Sequence, residues 1–159
     1  MVIKKADSAN KARTELKEDA SKFLVKSYES GLYEIQLSRL AATNGLDAEV
    51  KNLAGLLTTE HTGINDKIYS IAVSANFILP TELNADHQKS LQDMAKLKGF
   101  DFDKKYISAI VSSHESETNS FKDAYKNLPP SDTKNLAGLT WSKLEDHLAM
   151  AKKIKDRIK

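Results

Sequence analysis

The stretch "LLTTEHTGINDKI", Leu56 to Ile68, decides how this chain is read. Leu57, Ile64 and Ile68 stand seven and four residues apart, the spacing that lines one face of an α-helix. Leu53 and Ile71 extend the same stripe in both directions. His61 falls four after Leu57 and three before Ile64, so an imidazole, with Glu60 beside it, interrupts a stripe that is otherwise aliphatic.

Working outward, nothing alternates with period two over a useful length, and apolar residues recur at three and four throughout. The pattern predicts a first helix over 15–43, with Phe23, Leu24, Tyr28, Leu32, Ile35 and Leu40. "TNGLD" ends it, Asn44-Gly45 being a C-terminal signal and Asp47 the next N-cap. The second helix runs to about Ala75 and breaks at Pro80. A short helix follows, capped by Thr81 or Asn84 and reaching about Lys98. Asp101 is the expected cap of the next long helix, which carries Phe102, Tyr106, Ile110, Val111, Phe121 and Tyr125 and ends at "LPPSD". Ser131 or Asp132 caps the last, with Leu136, Leu139, Leu144, Met150 and Ile154. Two tight turns, near Gly45 and Pro130, imply two antiparallel hairpins joined by a crossover. The expected fold is therefore all-α: a four-helix bundle of two hairpins with a short extra helix in the crossover. Residues 1–15 read as a flexible polar leader and 16–159 as the bundle domain. The pentapeptide "NLAGL" occurs at Asn52–Leu56 and again at Asn135–Leu139, early in the second helix of each hairpin. Its Ala-Gly pairs suggest close helix approach.

Composition narrows the function classes. The 159 residues carry a net charge of +2, with no basic patch interleaved with aromatics, which argues against a nucleic-acid binder. The lysines of "AKKIKDRIK" read as a solvated helix end, where cations are favoured. With no cysteine, disulfides, thiolate metal sites and cysteine nucleophiles are excluded. No apolar run approaches the ~18 residues of a membrane span. There is no glycine-rich phosphate loop and no Ser-His-Asp arrangement that can be placed.

Three of the four histidines interrupt apolar stripes: His61, His114 (three after Val111) and His147 (three after Leu144). Counted from the turns, the three lie at similar levels. On the first helix the line Leu24, Ser27, Gly31, Glu34, Ser38, Ala41 is small except for Glu34. Glu34 lies four residues nearer its turn than His61, about 6 Å of rise. Side chains lean toward their own N-termini, which narrows that gap. Glu29 matches His61 better in level and worse in face, and is the substitute. Three imidazoles and a carboxylate at one level suit a divalent transition metal, whether zinc, copper or iron. Glu60, Glu117 and Tyr106 are candidate extra ligands or outer acceptors that fix the imidazole tautomers. The rival reading is a polar layer without metal, its His and Glu side chains satisfying one another and specifying register. His87, in "NADHQK", is expected to be exposed and is assigned no role; Trp141 reads as core or core edge.

The stretches "GLYEIQLSRLA", "VKNLAGLLTTEHTGIND", "LPTELNADHQKSLQDMAKLKGFDFDKKYISAIVSSHE" and "LEDHLAMAK" carry a resemblance. Over residues 20–155 the chain resembles a widespread bacterial family of ferritin-like proteins whose activity is not established. That family's pattern falls here on Glu34, Glu60-His61, Phe102-Asp103 with Tyr106, His114 and His147-Leu148, with Glu60 where aspartate is commoner. The resemblance implies a ferritin-like bundle. It also implies export to the periplasm or cell envelope, with "KKADSANKARTE" as a linker behind a removed leader and any lipid anchor outside this chain. The alternative is a cytoplasmic protein. The Glu-x-x-His pairs of di-iron sites are missing, because Thr58, Val111 and Leu144 stand three before the histidines, which disfavours a ferroxidase. Three roles follow: an exported protein binding one transition metal, a metal-dependent oxidoreductase or hydrolase using the same residues, or a metal-free interaction or stress-response module.

Overall fold

In a computed structural model the backbone of residues 2–159 and the side chains of residues 17–159 are described. Five helices and no strands are present among them: α1 (Val2–Asn44), α2 (Ala48–Ala75), α3 (Ala85–Ala95), α4 (Gly99–Asn127) and α5 (Asp132–Arg157). α1 begins at Val2 rather than near Glu15; Gly and Pro are missing from residues 2–14, so no residue there stops the helix. The expectation of a flexible leader over 1–15 lies outside the residues whose side chains are described.

Local chemistry sets most boundaries. Asp47 caps α2 by accepting from the Glu49 and Val50 amides, Asn84 caps α3 from the His87 amide, and Ser131 caps α5 from the Lys134 amide. Asn76 closes α2 in the left-handed conformation, with φ 58°. α4 starts at Gly99, earlier than expected, and Asp101 lies in its first turn instead of capping it. α3 ends at Ala95, a few residues short of Lys98.

α1 packs on α2, α4 on α5, α1 on α4 and α2 on α5, so four long helices enclose one interior, while α3 lies against α1 and α4. The turn at 44–47 is clamped from α4. The buried Asp103 carboxylate accepts from the Leu46 amide and, at 2.7 Å, from the Asp47 amide. Close approach of α1 to α2 depends on Gly31, where a Cβ would stand 2.2 Å from the Asn65 side-chain oxygen. The two copies of "NLAGL" differ in use. Gly138 faces the Tyr125 ring, while Gly55 has open space, so only the second copy serves close packing. Leu139, Tyr125 and Met150, expected on buried stripes, are exposed.

The core is divided in two. One apolar cluster gathers Leu37, Leu57, Phe102, Ile110 and Val111 toward the 44–47 turn. The other gathers Leu24, Ile64, Ile68, Phe121 and Leu144 toward the 128–131 turn. Buried polar side chains lie between them, and the site is built from these.

Candidate metal centre

α2 places His61 between Leu57 of one cluster and Ile64 of the other. α4 places His114 between Val111 and Phe121, and α5 places His147 between Leu144 and Ala151. Glu34 of α1 completes the layer. All four side chains are at most 2% exposed. Helical periodicity directs each one inward; similar distances from the turns bring the three histidines to one level, and Glu34, four residues nearer its turn, still reaches His61.

The imidazoles converge through defined atoms. His61 Nε2 lies 3.4 Å from His114 Nε2, which lies 3.4 Å from His147 Nδ1. Glu34 Oε2 stands 2.9 Å from His61 Nε2. Donor atoms of His61, His114 and His147 all fall within 4.8 Å of one another, as do those of Glu34, His61, His114 and Glu117. Glu117 thus joins the cluster directly.

Outer partners fix two tautomers. His147 Nε2–H donates to Glu60 Oε2 at 2.7 Å, leaving the Nδ1 lone pair facing inward. His114 Nδ1–H donates to the Ile110 carbonyl at 3.1 Å, leaving Nε2 facing inward. Two lone pairs therefore point at each other across the core unless a cation or proton lies between them. The Ser113 hydroxyl donates to Glu34 Oε1. Among the described residues, four buried side-chain atoms lack a hydrogen-bond partner, and two of these are Glu34 Oε2 and Glu117 Oε2. Although Glu34 Oε2 is close to His61 Nε2, the pair does not have hydrogen-bond geometry.

The electrostatics follow from burial and proximity. Burial by itself would raise the Glu34 carboxyl, but the charges of His61 and His114 outweigh it and hold Glu34 far below the usual carboxylate range. Burial works to lower His114, but the Glu34 charge overcomes it and raises this imidazole. His147 is lowered, chiefly by burial, against the opposing effect of its hydrogen bond to Glu60. Burial and the Glu34 charge push Glu117 well upward, in the direction of the neutral form. A divalent cation reverses that preference, because its charge stabilises every ionised donor around it.

The sequence-derived residues sort as follows. His61 and His114 stand in two overlapping donor groups, one completed by His147 and the other by Glu34 and Glu117, and Glu60 lies behind His147. Tyr106 is buried and shares a 2.8 Å hydrogen bond with the Ser38 hydroxyl. Glu29, the substitute for Glu34, is committed elsewhere: its oxygens lie 2.8 and 2.9 Å from His87 Nδ1. His87 is accordingly half-buried, and its ring stacks on Tyr33 at 4.1 Å. Trp141 packs at the edge of the second cluster. Sequence reasoning missed Ser113 and the Asp103 clamp. Ser113 neighbours His114, but helix phase alone does not carry it to Glu34; Asp103 reaches a turn more than fifty residues away.

A profile described as "Domain of unknown function (DUF4142)" matches residues 5–154. The chain belongs to the DUF4142 family. Among solved structures it is similar to the crystal structure of "putative secreted protein DUF305 from Streptomyces coelicolor", at TM-score 0.73 and 10% identity, over 87% of this chain and 93% of that one. At that identity the likeness concerns the fold. No curated protein matches the chain. No helix among the described residues is long and apolar enough to cross a membrane.

Proposed function

We propose that this DUF4142 protein is an exported helical bundle of ferritin-like type that holds one transition-metal ion in its core. Glu34, His61, His114 and His147 are the ligands, and Glu117 is a further carboxylate donor. The spacing of the inward nitrogens carries the reading. Bonds of ~2.0–2.1 Å in a tetrahedron separate neighbouring ligand atoms by about 3.3–3.4 Å. The two imidazole pairs stand at 3.4 Å, with tautomers that turn lone pairs inward. The orphaned Glu34 Oε2, 2.9 Å from His61 Nε2, offers an oxygen beside these nitrogens. Three imidazoles with carboxylate suit zinc, copper or iron. The fold likeness to a secreted protein of Streptomyces coelicolor supports export.

Elemental analysis of untagged protein, followed by zinc titration calorimetry, tests this. One ion per chain is expected, with affinity falling as pH drops, because each imidazole must lose its proton to bind. No metal above background and no uptake at any pH removes the reading and leaves a metal-free polar layer.

A further inference from the structure

The four inner ligands are buried almost completely, so an ion must reach them through some part of the wall. Two sides of the layer approach solvent. On the α2–α5 side, Glu60 is 27% exposed, but it is already bonded to His147 Nε2, and the Lys143 ammonium stands 3.6 Å from the same oxygen. An ammonium at that point repels an arriving cation.

On the α1–α4 side a cavity of about 290 Å³ opens beside the layer. Lys26, Ser27, Ser116 and Ser120 line it, and Ser113 and Glu117 lie where it meets the core. Ser113 donates onward to Glu34, and Glu117 shares the donor cluster with Glu34, His61 and His114. Glu117 is 7% exposed, more than any of the four inner ligands, and its Oε2 has no partner. Glu29, held against His87, adds a second carboxylate to the wall. Two carboxylates and a row of hydroxyls against one exposed ammonium make this lining a set of oxygen donors for a hydrated cation.

We propose that a divalent transition-metal ion loads through this α1–α4 cavity, and that Glu117 takes it from water and hands it to the imidazoles. The proposal rests on the metal reading above. Hydroxyl and carboxylate oxygens replace shed waters along the way, and the orphaned oxygen of Glu117 faces the last step.

Stopped-flow uptake of cobalt(II), followed by the visible absorption of the ion once histidine-bound, tests it on the whole chain. Ser116→Trp, at an exposed position of α4, obstructs the cavity; Ser120→Phe repeats the obstruction if the first variant folds poorly. Lys143→Trp covers the opposite side. The expected result is loading slowed about tenfold or more in Ser116→Trp, because the ion then waits for local opening. The final stoichiometry is unchanged, and Lys143→Trp loads at the wild-type rate. Glu117→Gln, with the cavity open, also loads slowly. An unchanged rate in both obstructed variants, slowing in Lys143→Trp instead, or wild-type loading by Glu117→Gln overturns the route while leaving the metal reading standing. Failure of the wild-type protein itself to take up cobalt removes the metal reading and the route with it.

Discussion

Phe102 and His114 belong to the same helix, and both are completely buried, yet their surroundings follow opposite rules. Around Phe102 the neighbours are Leu, Ile, Val and the stacked ring of Tyr106, 5.6 Å away. Stability there comes from apolar area removed from water and from close packing. Around His114 lie two further imidazoles and two carboxylates, with oxygens left unpartnered. Burying such groups costs free energy unless something satisfies them. The apolar clusters hold the bundle together, and the layer between them is kept at an energetic disadvantage that a bound cation would relieve.

The comparison can be broken most forcefully at the apolar end. Phe102→Ala should lower unfolding free energy by about 3–5 kcal/mol in urea titrations, the range for emptying a large buried ring. Its effect on metal affinity should be small beside that. A loss under 1 kcal/mol would mean that this cluster does not anchor the fold.

His147→Leu sharpens the contrast from the polar side. Burial already disfavours the charged form of this imidazole, and its partner Glu60 is only partly buried, with Lys143 nearby. Leucine there continues the stripe from Leu144 to Ala151. Apo stability should stay within about 1 kcal/mol of wild type or rise, as it does when buried polar groups give way to apolar ones. Zinc affinity should fall by more than the ~10–100-fold that an outer hydrogen-bond partner is worth. Unchanged zinc affinity by calorimetry would remove His147 from the ligand set.

Glu60→Ala probes that outer shell and should have the smallest effect. The tautomer of His147 loses its anchor while all inner donors remain, so affinity should drop by about 10–100-fold. An unaltered affinity would show that Glu60 only decorates the surface beside Lys143.

Residue periodicity alone makes much of this legible. The inward direction of His61, His114 and His147 is a consequence of helix phase, which depends only on neighbours three and four positions away. The Asp47 and Ser131 caps are equally local. Less legible was the fate of each carboxylate. Glu29 fits His61 better by level and Glu34 better by face, and His87, far along the chain, claims Glu29 and leaves Glu34 to the core. The exposure of Leu139 and Tyr125 was hidden for a similar reason. Apolar content marks a stripe, but its outer edge is set by where the neighbouring helix stops covering it.

By itself, the sequence determined five helices, their turns, and three imidazoles directed at a common interior, because these follow from short-range geometry and capping chemistry. Only the tertiary structure decided which atoms meet. It set the 3.4 Å spacing of the nitrogens, the turn of His147 so that Nδ1 faces inward, the entry of Glu117 into the donor cluster, and the cavity at its side. Those depend on the relative height and rotation of four helices packed at once, a long-range relation that no local pattern encodes.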